Sequence, residues 1–542
     1  MSFLRYAILA VATLPIAAAL AQPTPYVRTA PALKPNTVGI YPKLQNAKQW
    51  NGNEAGQYSI KFKVKGIKPG DTVYLADYHL DGKFLRDTTV VDKKGVANFT
   101  GRFKLQRGMY LFVLPQKQDY FEFLIDDDQD FTISTDTALW TRDYYKNMAV
   151  DGSDENTGFL SYQLGKTNLI TRLMKVDEKM KTDTLPDQKA ALQKERTQIL
   201  ADKENYDKDY IKAHPNRLLS RFLWSMVDIE VPTELPKKPD GTTDSSFQYR
   251  YYKLHYWDHV DLNEDGLTRM PLNIIKQKLD FFFDKVMLPD ADSNIVECDK
   301  LLARASSSIE IEKYLIWYLT NRFESSNIMG LDKVFVHMAN NYYCSGKAWW
   351  VDSATIARMC ENSFRRAKCT IGSPGAPLEL QTRDGQWFNT ASINAPYTIL
   401  IFWDPTCGHC KEVLPKLLKI YENNKAKGWK VVALASGDRK KEWLEYLKEH
   451  PEMNEFIHLI RGEVRSQEMA DNLYNYYVVA SPTIFILDEN KTIRANRIDV
   501  EKIEEYLGHL DRFKAAKAKE NNGTGNGNTK PGTLIKTKNS PK

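Results

Sequence analysis

After its first twenty-one residues the chain holds no apolar run long enough to cross a bilayer, which takes about 20 apolar residues. Cysteine is scarce, six in 542 residues. Apart from the pair at 407 and 410 the cysteines are scattered, so no second close pair of cysteines completes a zinc site, which needs four ligands. No cysteine follows the expected cleavage point at residue 21, which argues against a lipid-anchored protein. A net positive charge is also missing from the body. The formal charge is +6, but seven Lys and one Glu from Lys514 onward account for all of it, and Arg5 adds one more. The remaining body, near −1, offers no electrostatic footprint for nucleic acid.

What is present begins with "MSFLRYAILAVATLPIAAALA". Arg5, the apolar stretch Tyr6 to Leu20 and the small-x-small end Ala19-Leu20-Ala21 are expected to form a signal peptide over 1–21, with an uncleaved N-terminal anchor as the alternative. Export to the periplasm or cell envelope follows as the expected location, soluble after cleavage, in a compartment where disulfides persist. A chain of 542 residues is too long for one core, and the expected fold is multidomain α+β. An extended segment over 22–54 leads into a small antiparallel β-sandwich or barrel over 55–137. There Tyr58, Ile60, Phe62 and Val64 alternate with polar residues, and short strands recur between Gly and Asp turns. Over 138–368 apolar residues recur at three and four, predicting an all-helical module. From 374 to 513 strands and helices interleave, predicting a central sheet with helices on both faces. The basic tail over 514–542 has little to bury and is expected to be disordered.

One stretch of that last region, "FWDPTCGHCKEVLPKL" from Phe402 to Leu417, carries redox chemistry. Cys407 stands where the strand "YTILIFW" passes into a helix. The free N–H groups and dipole of a helix start stabilise negative charge and so favour the Cys407 thiolate. Cys410, about one turn on, is placed to attack a mixed disulfide formed at Cys407. His409 between them adds a cation when protonated, which favours the reduced pair and a more oxidising poise than a Gly-Pro pair gives. A static staple is a poor fit, because so short a loop removes little unfolded-state entropy.

The segment resembles the thioredoxin superfamily in its Phe-Trp strand end, its Cys-x-x-Cys and the helix proline Pro415. "VVASPTIFILDEN" is similar to the stretch that holds that fold's cis-proline. The leading "GSPGAPLELQTRDGQWF" and the signal peptide narrow the likeness to the TlpA/ResA-like envelope thiol oxidoreductases, in an envelope layout of β and helical modules before the redox domain. The resemblance implies an α/β thioredoxin-like fold and a protein-disulfide reductase. It sets Cys407 as the attacking sulfur, Cys410 as the resolving one, and Gly408 and His409 between them. Ser481 and Pro482 would shape a substrate groove lined also by Trp403 and Thr406. The two sulfurs carry the electrons, so no dissociable cofactor and no metal are implied. The partners implied are cysteine-containing envelope proteins and an electron donor in the inner membrane. Where the family buries an acidic proton acceptor, six residues before Cys407, this chain has Ile401. Asp404, His409 and Glu412 are the nearby candidates for the base, and the sequence does not choose among them.

Two other readings stay open: an envelope binding or scaffold protein with an auxiliary redox domain, and a thiol peroxidase. The peroxidase would need Thr or Ser three residues before the reactive cysteine, where Asp404 stands. Cys298, Cys344, Cys360 and Cys369 permit two bridges in three connectivities, and Cys360 and Cys369 are near enough in sequence to pair; buried free thiols are the equal alternative. His255 and His259 stand at i, i+4, the spacing of a metal pair, but no third ligand accompanies them. "DLNEDG" places Asp261, Asn263, Asp265 and Gly266 at calcium-loop spacing, yet its twelfth position is Leu272 after Pro271, predicting an interhelical loop. The run "DDDQD" lacks the Gly and Glu of a calcium loop and predicts a charged hairpin tip.

Overall fold

The computed structural model describes residues 55–523 apart from 118, 138–143, 183–184, 437–438 and 463–464. The expected signal peptide, the segment up to residue 54 and the tail beyond 523 lie outside the described residues. The chain divides into two compact units. One holds the residues up to Leu288 with Cys298–Leu315, and the other holds Pro289–Glu297 with Ile316 onward.

The first unit opens with β1 (Ala55–Lys65), β2 (Thr72–His79), β3 (Gly82–Val90), β4 (Val96–Phe103), β5 (Gly108–Val113), β6 (Tyr120–Ile125), β7 (Asp130–Asp136) and β8 (Ala149–Asp151). They form two four-stranded sheets, β4-β1-β7-β8 and β3-β2-β5-β6. Phe62 of one sheet meets Phe112 of the other with ring centroids 4.4 Å apart, and Phe99, Phe121 and Phe123 close the same aromatic core. Tyr58, Ile60, Phe62 and Val64 are all buried, as their alternation predicts. Pairing is antiparallel with one exception, the parallel pair β1–β7, with Ser59 opposite Asp130. The chain crosses to the other sheet for β5 and β6 before returning beside β1, and such a crossover lets neighbours run in one direction. Helices follow: α1 (Asp154–Thr182), α2 (Pro186–Ala213), α3 (Leu218–Met226), α4 (Phe247–His255) and α5 (Ile274–Phe281). Helices α6 (Ala291–Arg304) and α7 (Ile309–Glu324) contribute residues to both units.

The second unit continues with α8 (Asp332–Met338) and α9 (Ser353–Ala367), then β9 (Glu379–Thr382), β10 (Trp387–Asn389), β11 (Tyr397–Trp403), α10 (Gly408–Asn424), β12 (Lys430–Ala435), α11 (Lys440–Glu449), β13 (Ile457–Ile460), α12 (Gln467–Tyr474), β14 (Thr483–Asp488), β15 (Ile493–Asn496) and α13 (Ile503–Gly523). The sheet order is β10-β9-β13-β12-β11-β14-β15, with β11, β12 and β13 parallel and β14 antiparallel to β11. Every residue of β11 is buried. Its period of two splits them. Tyr397, Ile399, Ile401 and Trp403 face a core with Val413, Leu414 and Leu417 of α10 and Trp443 of α11. Leu400 and Phe402 face the opposite core with Leu380, Tyr476 and Phe485. A strand covered on both faces reads as a continuous apolar run, which is why "YTILIFW" shows no alternation.

Cys344 and Cys360 are disulfide-bonded, with Cα atoms 5.6 Å apart, so Cys360 pairs with Cys344 and not with its sequence neighbour Cys369. Cys298 and Cys369 are buried thiols. Burial pushes the Cys369 thiol up to about 12, in keeping with a small core residue. Helix α13 runs to Gly523, into the stretch expected to be disordered from 514. Ala515, Ala516 and Ala518 among Lys and Glu are strong helix formers, and Lys514 pairs with Glu489 at 2.8 Å. Among the described residues no helix is long and apolar enough to cross a membrane.

The turn between β14 and β15 rests on one buried carboxylate. Asp488 accepts from the N–H groups of Asn490 and Thr492, both at 2.9 Å, and from Arg494 at 2.7 Å. Burial opposes its charge, but these donors outweigh burial and hold the carboxyl below the usual range. Its stabilising contribution is therefore present above the unfolded carboxylate value, about 4, and is lost as pH falls through the lower folded value. Asp488→Asn is expected to cost about 2 kcal/mol at pH 7, with a weaker acid dependence than the parent chain. Urea unfolding at pH 7 and in acid checks both; equal midpoints for the two proteins at pH 7 would contradict it.

Candidate functional site

Strand β11 ends at Trp403, and the turn Asp404-Pro405-Thr406 delivers Cys407 as the residue capping the start of α10. The turn closes with the Cys407 N–H donating to the Asp404 carbonyl at 3.1 Å. Cys407 is partly exposed, and Cys410, one turn into α10, is fully buried. Gly408 faces open space, since an added Cβ would meet nothing within 4 Å. The approach to the helix start is thus unobstructed on that side.

The neighbouring strand brings the second half of the site. Phe402 of β11 pairs with Thr483, the first residue of β14, so the residues just before β14 sit against those just after β11. The Ser481–Pro482 peptide is cis, and the Cys407 thiol points to the Ser481 carbonyl at 3.8 Å. Helix α9 braces the segment leading there. The Arg365 guanidinium lies over the rings of Tyr474, 3.8 Å from its centroid, and Tyr477. The Tyr477 hydroxyl donates to Asn362 at 3.3 Å.

The buried partner sulfur accepts from the Asp404 backbone N–H at 3.4 Å. Burial, first, raises the Cys410 thiol well above its ordinary value; the Asp404 N–H works against the rise, while Cys407 and the Asp404 carboxylate add to it. The Asp404 carboxylate accepts from the N–H and hydroxyl of Thr406, both at 2.7 Å. Partial burial opposes its charge, but Thr406, Arg439 and Ser436 together hold the carboxyl below the usual range. Arg439 donates to the Thr406 hydroxyl at 2.7 Å and approaches Asp404 at 3.7 Å. Neither Arg439 nor Ser436 stands out in the sequence. Their signal is the parallel β11–β12 pair, Trp403 opposite Ala435, which puts the two following loops side by side.

The sequence-derived candidates are thus sorted by geometry. Cys407, Cys410, Gly408, Ser481, Pro482 and Thr406 come together. Trp403 does not line a groove: it is 1% exposed and its ring packs 5.1 Å from Tyr446. The alternation of β11 turns it inward, onto the core face that also receives Cys410. His409 and Glu412 face each other at 3.7 Å in solvent, an arrangement that contributes little. Ile401 is fully buried among apolar side chains.

The remaining candidates are occupied elsewhere. His255 pairs with Asp258 at 2.6 Å, whereas His259 bonds the Val227 carbonyl and stacks on Trp224. The two rings do not converge. In "DLNEDG", Asp261 pairs with Arg221, Asn263 accepts from Ser307 N–H and Asp265 bonds Ser308. The loop is an internal brace. In "DDDQD", Asp126 pairs with Arg107, and Gln129 bonds both the N–H and the carbonyl of Leu105. Among the described residues no group of three or more His, Cys, Asp or Glu is placed to hold a metal ion.

Residues 395–493 match the family model described as thioredoxin-like. Residues 58–159 and 186–365 match two domains of unknown function, DUF4369 and DUF5106. No curated protein matches the chain. Among solved structures, a domain of a possible thiol-disulfide isomerase from Cytophaga hutchinsonii is 28% identical, covering 27% of this chain and 96% of that one, with TM-score 0.24. A thioredoxin-like protein from Bacteroides caccae is 19% identical over 51% of this chain and 99% of that one, with TM-score 0.41. The thioredoxin domain of a thiol-disulfide oxidoreductase from Bacteroides vulgatus is 20% identical over 26% and 97%, with TM-score 0.24. Residues 395–493 are therefore thioredoxin-like. They stand in a multidomain chain behind β-sheets and a helical region.

Proposed function

We propose that this chain is an exported protein-disulfide oxidoreductase that exchanges its Cys407–Cys410 pair with cysteines of envelope proteins, in the reducing direction. The observation that carries the reading is the inequality of the two sulfurs. One is accessible at a helix start beside the Ser481 carbonyl, and the other is sealed one turn behind it.

The chemistry follows from that inequality. The Cys407 thiolate attacks one sulfur of a substrate disulfide, forming a mixed disulfide and releasing the first substrate thiolate. Cys410 then loses its proton and attacks the Cys407 sulfur. The Cys407–Cys410 bond forms, the mixed disulfide breaks, and the second substrate thiolate leaves with the proton. Two electrons have passed to the substrate. Cys407 itself contributes to holding the Cys410 proton on. Once Cys407 is tied into a mixed disulfide that contribution ends, and the Cys410 proton is held less tightly at the step that needs it, with burial still opposing its loss. A further turnover needs the pair reduced again, which we assign to an inner-membrane dithiol donor.

The test is turnover of insulin disulfides by the purified reduced chain with dithiothreitol as donor. Catalysed precipitation of the insulin B chain is expected. A rate no higher than dithiothreitol alone would sink the reading and favour a binding protein.

A further inference from the structure

We propose that Arg439 is a positioning residue for the resolving step, holding the Asp404–Cys407 turn and neutralising Asp404 so that Cys410 can act. The inference rests on the exchange reaction above. Asp404 is the hub of the turn. Its carbonyl accepts from Cys407, its N–H donates to the Cys410 sulfur, and its carboxylate is shared by Thr406 and Arg439. Arg439 reaches the turn from another element, the residue before α11, and donates to the same Thr406 hydroxyl that bonds Asp404. The Ser436 N–H adds a bond to the Trp403 carbonyl at 2.9 Å, tying the end of β12 to the end of β11.

The charge argument has a definite sign. Cys410 must become an anion to attack, and the groups within electrostatic reach of it are Cys407 on its own helix, Asp404 in the turn and Tyr446 on α11. Asp404 is ionised, so its charge opposes a second anion behind it. The guanidinium offsets that charge and keeps the carboxylate turned toward Thr406. Without Arg439, the Cys410 proton should be held to higher pH. Without the Asp404 charge, it should leave at lower pH.

Dithionitrobenzoate separates the two chemical steps. Cys407 attacks it and releases one thionitrobenzoate, and Cys410 then resolves the adduct and releases the second. The second phase is expected to be ~3- to 10-fold slower at pH 7 in Arg439→Gln, with its pH midpoint raised. Arg439→Lys, which keeps the charge, is expected to restore the midpoint, and Asp404→Asn to lower it in the presence or absence of Arg439. A second phase in Arg439→Gln with unchanged rate and midpoint overturns the inference. So does a loss of melting temperature with no shift in midpoint, the signature of a structural role alone. A wild-type chain that releases no thionitrobenzoate defeats the exchange reading itself, whereas two normal wild-type phases with an indifferent Arg439 defeat only the assignment of Arg439.

Discussion

Cys407→Ser is expected to slow insulin-disulfide reduction by at least ~10³-fold, because the other five cysteines, all among the described residues, are buried or disulfide-bonded. Cys410 cannot substitute for it. That sulfur is fully buried and its thiol is raised by burial, so a substrate disulfide does not reach it and little thiolate is present. Serine fills nearly the same volume at a partly exposed position, and the fold should survive, with a melting temperature close to that of the parent chain. A loss of activity without loss of stability therefore isolates the chemistry. Residual activity within tenfold of the parent would mean that reduction is carried by other cysteines, and the assignment of Cys407 would fail.

Cys410→Ala should have the opposite outward effect. The first attack remains, but the second sulfur is gone, so the mixed disulfide persists ~10²-fold longer or more before external thiols clear it. The core cost is small, about 1 kcal/mol, since only one sulfur leaves a site lined by Trp403 and Leu414. Expressed in its own compartment, this variant should carry covalent adducts that vanish under reductant on a gel. Their composition distinguishes the reading from its rivals. Envelope proteins with cysteine pairs support disulfide exchange. Adduct levels no higher than in the double variant lacking Cys407 would point to the scaffold reading.

Much of this site was legible in the sequence because its parts are local. The Cys-x-x-Cys pair stands between an apolar run and an amphipathic one, and a strand-to-helix junction has few other geometries. Ser481 and Pro482 were legible through resemblance, and the β11–β14 pairing supplies the physical reason they meet Cys407. Trp403 was misplaced because a strand buried on both faces carries no alternation from which to read direction. The parallel β1–β7 pair was hidden for a related reason: alternation reports which face is buried, not which way the partner runs. The disulfide was open because nearness in sequence says little when a helix intervenes. Cys360 lies on α9 and meets a residue sixteen positions earlier. Arg439 was invisible because it stands 33 residues from Thr406 in a polar run of ordinary helix-start composition. The composition of the tail as a whole points to disorder, whereas its first seven residues, Lys514 to Glu520, are Lys, Ala and Glu, which have the propensity to prolong α13.

The most direct measurement is competitive alkylation of the fully reduced chain with iodoacetamide near pH 7, followed by peptide mapping. Cys407 should be modified first and Cys410 at least ~10²-fold more slowly, because Cys410 is buried and its thiol is raised by that burial. Equal rates, or Cys410 modified ahead of Cys407, would contradict the account.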